Sequence, residues 1–304
     1  MRELLKNLPQ SLPRKLAVVA VAAVAAVGIS WSAGALAAKA VVVGSTNFPE
    51  QLVLANIYAD VFEHRGIAVK TRLNLGSREV VFPALNSGEI DVLPEYSGAL
   101  LGFLTNGASK ANTSDAVLKD LRAQLPAGVV ALNPSPAQDR DGLVVTAAIA
   151  RKYKLEKISD LAPVASKLTL GGPPETKTRY VGVPGLKKVY GVQFKSFRSL
   201  DAGGPLTQGA LAGGTIDVAR MFSTQGEIAD RGWVLLKDDK DLVPAQNILP
   251  VARKAALTPK IRSALNAVSK QLTTEQLQQM NKKVSVDHYD PETVASDWVK
   301  QHGL

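Results

Sequence analysis

Short apolar runs alternate with segments of helical periodicity along the first half of the chain. Residues 40–44 form an apolar run that ends in glycine, as a buried parallel strand does. Residues 51–65 place apolar side chains on one face of an amphipathic helix. Two further strands, at 67–75 and 90–93, flank a second helix over 76–85. Strands that alternate with helices predict an α/β fold with a mainly parallel sheet.

The second half of the chain repeats this plan. The phrase ALNSGEIDVLPEYSG at 84–98 returns as ALAGGTIDVARMFST at 210–224, with seven of fifteen positions identical and a constant offset of 126 residues. Each copy carries one aromatic residue near its end, Tyr96 in the first and Phe222 in the second. Two copies of a strand–helix–strand unit indicate two lobes of similar architecture, because a solenoid needs about three or more units.

Two stretches have the character of crossings between these lobes. Residues 133–136, Asn-Pro-Ser-Pro, are rigid and extended, and residues 244–250 are suited to the return. The helical pattern over 257–304 is expected to pack back onto the first lobe. Two crossings give a two-segment hinge, and a hinge between α/β lobes creates a cleft. The predicted boundaries are 1–37 for a signal peptide, 38–142 with 246–304 for lobe 1, and 143–245 for lobe 2.

The first 37 residues have the layout of a secretory signal peptide. Four Lys/Arg precede the apolar run 16–29, and Ala35-Leu36-Ala37 supplies small residues for cleavage. An uncleaved N-terminal anchor is the alternative. The chain contains no cysteine, so a lipid-modified N-terminal cysteine and disulfides are both excluded. We therefore expect an exported, periplasmic protein without a lipid anchor.

Charge and composition indicate which classes of partner and activity are not expected. Removing the leader takes away four Lys/Arg and one Glu, which lowers the formal net charge from +9 to +6. The remaining surplus is scattered rather than gathered into a basic block, so nucleic-acid binding is not expected. A soluble, globular monomer is expected. The sequence contains no Cys-containing metal pattern, Gly-x-Ser-x-Gly elbow or phosphate loop, so neither catalysis nor a cofactor is expected.

The repeated phrase also suggests where a ligand binds. In open α/β sheets, ligands lie beyond the carboxyl ends of the strands, where helix N-termini favour anionic ligand atoms. Tyr96 and Phe222 follow such strand ends, so each lobe is expected to deliver one aromatic ring to a shared cleft. The alternative is that both rings pack in the core.

Several phrases, in order along the mature chain, resemble the substrate-binding proteins of osmoprotectant (glycine betaine/choline/carnitine) ABC transporters. They are Gly44-Ser45, Phe48-Pro49-Glu50, 73–77, 88–98, 134–137, GGPPE at 171–175, PGLKKVYG at 184–191, 216–218 and 250–253. The resemblance implies a type II periplasmic-binding-protein fold. Such a protein closes around a small ligand and then docks on a membrane permease.

The resemblance also implies a cage of about four aromatic side chains that holds a quaternary ammonium group by cation–π attraction. Tyr96 and Phe222 match two of its positions. The third position falls on Asp141 or its neighbour Arg140, and the fourth falls on Gln246. Two π faces are therefore missing, and each is worth about 0.5–2 kcal/mol.

Because two of the aromatic positions are replaced, the identity of the ligand has more than one interpretation. Asp141 could offer a full negative charge to a cation. Alternatively, Asp139, Asp141, Gln246 and Asn247 could form a polar wall for a ligand with hydroxyl or amine donors, or could merely cap a turn and face solvent.

Three more polar residues are candidates for the site. Arg179 follows the GGPPE phrase and is predicted either to pair with a ligand carboxylate or to lie on the surface. Thr46 and Thr224, in loops that leave strands, are candidates for polar contacts. The expected function is capture of an osmoprotectant-like ligand for an ABC importer. The alternatives are the same transport role for another polar molecule, or a sensory or enzymatic protein on this fold.

Overall fold

The structure is a computed structural model that describes residues 39–304. The predicted signal peptide lies outside the described residues. The strands are β1 Val41–Gly44, β2 Val69–Arg72, β3 Val92–Tyr96, β4 Val129–Ala131, β5 Asp141–Val145, β6 Thr169–Gly172, β7 Ser196–Ser199, β8 Val218–Phe222, β9 Val234–Leu235 and β10 Ile248–Arg253. The helices are α1 Pro49–His64, α2 Arg78–Ser87, α3 Ser97–Leu104, α4 Ser114–Gln124, α5 Ala147–Tyr153, α6 Val183–Tyr190, α7 Pro205–Ala212, α8 Gly226–Asp230, α9 Pro259–Gln271, α10 Thr274–Ser285 and α11 Pro291–Gln301. Over 39–304, no helix has the length and apolar character needed to cross a membrane.

The strands form two five-stranded sheets with matching topology. The first has the order β2-β1-β3-β10-β4 and the second has the order β7-β6-β8-β5-β9. In each sheet four strands run in the same direction, and one strand, β10 in the first sheet and β5 in the second, runs antiparallel to both of its neighbours. We call the first sheet with α1–α4 and α9–α11 the first lobe, and the second sheet with α5–α8 the second lobe. The predicted two-lobed α/β fold is confirmed.

The chain passes between the lobes twice, and the two passages lie side by side. Gln138 and Asn247 form an isolated antiparallel bridge, and the amide of Asp139 donates to the carbonyl of Gln246 at 3.2 Å. The strand β5 then begins at Asp141, two residues before the predicted start of lobe 2. The antiparallel strands β5 and β10 are the ones by which the chain enters the second lobe and returns to the first.

The core of the first lobe surrounds α1. Its residues from 53 to 62 are almost all buried, so the helix is enclosed on nearly every side, as expected of a central helix. Pro49 starts the helix at a position where a missing backbone N–H costs nothing. Val294 and Trp298 of α11 belong to the same core cluster, with residues of α9 and α10. The C-terminal segment therefore packs onto the first lobe, as predicted.

The repeated phrase has a structural role in each lobe. A Cβ added to Gly44, at the end of β1, would lie 2.5 Å from Cδ1 of Ile90, and a Cβ added to Gly171 would lie 2.5 Å from Cδ1 of Ile216. These distances are shorter than Cβ contacts in real structures, so a larger residue at either position would force the isoleucine side chain to shift. The isoleucine of each copy thus packs directly against the backbone of a neighbouring strand in its own sheet.

The aspartate of each copy fixes the same strand through a hydrogen bond. Asp91 Oδ2 accepts the backbone N–H of Val42 at 3.0 Å, and Asp217 Oδ2 accepts that of Thr169 at 2.9 Å. These bonds give partners to two partly buried backbone donors of β1 and β6. The two copies therefore hold β3 and β8 in equivalent places, and each carries its aromatic residue to the carboxyl end of its sheet.

Candidate functional site: the cleft between the lobes

A cavity of about 60 Å³, which we call the front cavity, lies between the lobes at the carboxyl ends of the strands. Six of the eight predicted site residues line it. They are Thr46, Tyr96, Asp141, Arg179, Phe222 and Gln246. Arg140 and Thr224 do not line it, for reasons given below.

Three aromatic rings, Phe48, Tyr96 and Phe222, form one stacked group that we call the aromatic cluster. The Phe48 centroid lies 6.1 Å from that of Tyr96 and 5.0 Å from that of Phe222, with interplanar angles of 27° and 19°. Phe48 sits immediately before α1, and sequence analysis did not name it as a site residue. The two lobes therefore meet through a third ring supplied by the first lobe.

Glu50 binds the aromatic cluster through a hydrogen bond to Tyr96. Its Oε1 accepts the phenol O–H of Tyr96 at 2.8 Å. Its Oε2 accepts Thr224 Oγ1 and Asn281 Nδ2, each at 2.6 Å. Burial raises the pKa of Glu50, and these three hydrogen bonds offset only part of that rise. Thr224 thus contacts Glu50 across the two lobes and not the front cavity, because its hydroxyl turns toward this buried carboxylate.

Tyr96 fits both sequence interpretations at once. Its side chain lines the front cavity, and it also belongs to the core of the first lobe with 5% of its surface exposed. Burial raises its pKa well above the usual value, and the nearby Glu50 carboxylate adds to the rise. The hydroxyl therefore stays protonated and serves as a donor.

Asp141 is neutralised by the protein itself. Arg220 Nη2 lies 2.8 Å from Asp141 Oδ1, and Gln246 Nε2 donates to Oδ2 at 3.2 Å. Burial acts to raise the pKa of Asp141, but the Arg220 charge and the Gln246 hydrogen bond lower it below the usual value. Gln246 also accepts the backbone N–H of Asp141 through Oε1, at 3.3 Å. Asp141 therefore stays ionised but presents little uncompensated charge to a ligand.

Asp139 also lines the front cavity, but its carboxylate accepts hydrogen bonds from the second lobe, and Arg140 does not line the front cavity. Asp139 is 1% exposed, and its Oδ1 accepts Ser223 Oγ at 3.3 Å and the Thr224 amide at 3.1 Å. Burial raises the pKa of Asp139 well above its usual value, and the Glu50 carboxylate contributes to the rise. Arg140 extends away from the front cavity, and its Nη2 donates to the carbonyl of Val243.

Two arginines complete the polar side of the front cavity. Arg78 is 7% exposed and binds Glu95 through Nε and Nη2, both at 2.8 Å. Among residues 39–304, its Nη1 has no hydrogen-bond partner. Arg179 reaches across the lobes to Glu79, with Nε 3.0 Å from Oε1 and Nη2 2.8 Å from Oε2. Arg78 follows a Gly-Ser pair at a strand end, where the sequence suggests ligand binding, but it was not among the predicted site residues.

The cleft continues beyond these arginines. A wider chamber of about 480 Å³ shares Arg78, Asp141 and Arg179 with the front cavity and extends to Phe103 and Tyr180. The front cavity is therefore the inner end of a larger space between the lobes.

Comparisons with known proteins agree with this geometry. A family model for the substrate-binding domain of the ABC-type glycine betaine transport system matches residues 39–301. The glycine betaine-binding protein YehZ of Escherichia coli (strain K12) is 30% identical over 280 residues, covering 88% of this chain and 92% of that protein. The carnitine transport binding protein OpuCC of Listeria monocytogenes serotype 1/2a (strain 10403S) is 27% identical over 275 residues, or 86% of each. The crystal structure of a glycine betaine/carnitine/choline ABC transporter superimposes with a TM-score of 0.68 at 26% identity, covering 86% of this chain and 98% of that chain.

The family match spans both lobes, both crossings and every residue of the aromatic cluster. The resemblance drawn from the sequence phrases is confirmed. The chain belongs to the family of substrate-binding domains of ABC-type glycine betaine transport systems.

Proposed function

We propose that this protein is exported and captures a small zwitterion with a quaternary ammonium group, such as glycine betaine, in the front cavity. One observation carries the proposal: three aromatic rings and a buried arginine with an unused Nη1 line the same cavity. The ammonium group would lie against the ring faces, where attraction is worth about 0.5–2 kcal/mol per contact. The ligand carboxylate would accept from Arg78, which suits carboxylate geometry.

The relatives support this choice of ligand. The names of the two related proteins specify glycine betaine and carnitine, and both molecules combine a trimethylammonium group with a carboxylate. A polyhydroxylated ligand has less support, because Asp141 and Gln246 already form hydrogen bonds with each other and Asp141 also binds Arg220. A ligand rich in hydroxyl groups would have to displace these bonds.

Capture requires the lobes to separate. The front cavity of about 60 Å³ is smaller than the roughly 150 Å³ that accommodates benzene in a protein interior. Phe222 belongs to the second lobe, whereas Phe48 and Tyr96 belong to the first, so opening would part the cluster at the Phe48–Phe222 contact. Closure would then expel water and strengthen the polar contacts around the ligand.

Location and partners follow from the transport role. The protein would act in the periplasm as a monomer, bind no nucleic acid, and deliver its ligand to a membrane permease. The layout of residues 1–37 as a signal peptide and the scattered surface charge support these statements.

The direct test is calorimetric titration with glycine betaine, carnitine and choline. We expect glycine betaine to bind and Phe222→Ala to weaken it by a factor of roughly 2–30, because one π face is lost. The control is Tyr289→Ala, which removes an aromatic ring that is 56% exposed and lies outside the cleft cavities described above. Absence of binding by all three compounds, or equal affinity for Phe222→Ala and the parent protein, would contradict the proposal.

A further inference from the structure

A second cavity, which we call the rear cavity, lies behind the aromatic cluster and has a volume of about 180 Å³. It shares Phe48, Asp139 and Phe222 with the front cavity. The first lobe contributes Glu50 and Asn281 to its lining. The second lobe contributes Gln208, Thr224 and Glu227. The rear cavity is therefore also an interlobe space.

The lining of the rear cavity is acidic. Glu50, Asp139 and Glu227 are 3%, 1% and 2% exposed, and the lining contains no lysine or arginine. His288 is its one basic residue. Burial raises the pKa of Glu50 and of Asp139, as expected where buried carboxylates lack a cationic neighbour. This environment favours a positively charged occupant.

Two buried acceptors in the lining are unused. Glu227 Oε1 accepts Gln208 Nε2 at 2.9 Å, but within the described chain Glu227 Oε2 has no partner. Asn281 donates through Nδ2 to Glu50 and to Thr224, while its Oδ1 is likewise without a partner in residues 39–304. A buried acceptor left unpaired destabilises the folded protein, so a ligand that supplies a donor is favoured.

The donors of this wall are already engaged. Gln208 Nε2 donates to Glu227 and to the carbonyl of Gly203, and Asn281 Nδ2 donates to Glu50. The rear cavity thus offers acceptors and negative charge, so a matching ligand must bring N–H or O–H donors. The front cavity differs, because Arg78 and Arg179 offer it donors and positive charge, which suit a ligand with acceptors.

We propose that the rear cavity is a binding site for a small primary or secondary ammonium cation. Its N–H groups would donate to Glu227 Oε2 and Asn281 Oδ1, one from each lobe. The volume suits such a molecule, since a cavity of about 150 Å³ holds benzene. A quaternary ammonium group has no N–H and would leave both acceptors unpaired, so the site discriminates against it.

Ethanolamine and choline provide the test, because they share a skeleton and differ in three N-methyl groups. Each is titrated into the full protein with and without saturating glycine betaine. We expect ethanolamine to bind under both conditions and choline not to bind when glycine betaine is saturating. Absence of ethanolamine binding, or its complete competition by glycine betaine, would overturn the proposal. A failure of glycine betaine alone to bind would instead count against the proposed function and leave the ethanolamine result readable.

Substitutions locate the site. Glu227→Gln keeps the side-chain shape but removes the charged acceptor, and we expect ethanolamine affinity to fall roughly tenfold or more. The matched control, Asp230→Asn, makes the same charge change at an exposed position of the same helix and should leave the affinity unchanged. If Glu227→Gln fails to fold, Val284→Trp fills the rear cavity from α10 without altering charge and should abolish binding. Ethanolamine binding that survives in whichever of these two variants folds places the site elsewhere.

Discussion

At the scale of single residues, Glu50 joins three parts of the molecule through one buried carboxylate. It accepts hydrogen bonds from Tyr96 in the aromatic cluster, from Thr224 in the second lobe and from Asn281 in the C-terminal helices. A carboxylate taken out of water is tolerated when several donors surround it. The orientation of the Tyr96 ring and the contact between the lobes are therefore held by the same group.

Removing the Tyr96 hydroxyl should weaken this arrangement without removing the ring. Tyr96→Phe leaves Glu50 Oε1 without its donor, and we expect the free energy of unfolding to fall by about 1–3 kcal/mol. Denaturant titration measures the change. Tyr153→Phe is the control, because within the described residues the Tyr153 hydroxyl makes no hydrogen bond. Equal stability of the two variants would show that the Tyr96–Glu50 bond contributes nothing.

The two aromatic residues that the repeat marks could be predicted to lie in the cleft, whereas the residues that only folding brings together could not. Tyr96 and Phe222 could be predicted from the sequence because each lies near the end of a copy of one phrase. Phe48 stacks between them only because the lobes meet. Arg220 reaches Asp141 because β5 and β8 pair antiparallel, and no pattern in the sequence set that register.

At the scale of elements, the alternation of strands and helices was predicted well, and the strand boundaries less well. The strand predicted at 90–93 begins instead at Val92, and the corresponding strand of the second copy begins at Val218. The shift has the same cause in both lobes. The isoleucine and aspartate that precede each strand contact the neighbouring strand, through packing and a hydrogen bond, and do not belong to the strand that follows them. The antiparallel direction of β5 and β10 follows from the crossings, which apolar periodicity does not encode.

The helix α3 offers a test of how closely the return crossing packs. A Cβ on Gly98 would clash with the carbonyl oxygen of Ala245 and lie 2.9 Å from Pro244 Cγ. We expect Gly98→Ala to lower the free energy of unfolding by about 1–3 kcal/mol, because a well-packed contact cannot absorb an extra methyl group.

Gly102 on the same helix is the matched control. An added Cβ there meets nothing within 4 Å, so Gly102→Ala should raise stability by up to about 1 kcal/mol through helix propensity alone. Chemical denaturation of both variants gives the comparison. A stabilising effect at both positions would show that the crossing is not held against α3.

At the scale of the whole molecule, the internal repeat predicted two lobes, and the matching strand orders of the two sheets confirm it. The family consists of transport solute-binding proteins and not enzymes, in line with the absence of catalytic motifs from the sequence. How tightly the lobes meet could not be foreseen, because the interlobe contacts join residues far apart in the chain. Among these contacts, the pair Glu50 and Thr224 is buried, and the pair Glu79 and Arg179 lies at the rim of the cleft.

We expect the rim pair Glu79 and Arg179 to make closure of the cleft sensitive to acid. Partial burial acts to raise the pKa of Glu79, but hydrogen bonds from Arg179 and Ser77 lower it from 4.5 to about 2. A carboxylate whose pKa is lowered on closing favours the closed form above its ordinary pKa, and this contribution is lost as the pH falls toward the lowered value. We therefore expect the radius of gyration, measured by small-angle X-ray scattering, to increase as the pH is lowered from about 6 to about 3.

Arg179→Ala separates this effect from general acid expansion. Without Arg179, closing no longer places a cation beside Glu79 to lower its pKa, so the variant should already be more open at neutral pH and should respond less to acid. Glu89→Gln is the control, because its partner Arg72 lies in the same lobe and the pair does not span the cleft. A pH response in Arg179→Ala as large as that of the parent protein would mean that another group governs closure. Arg179 would then remain a candidate for direct contact with the ligand.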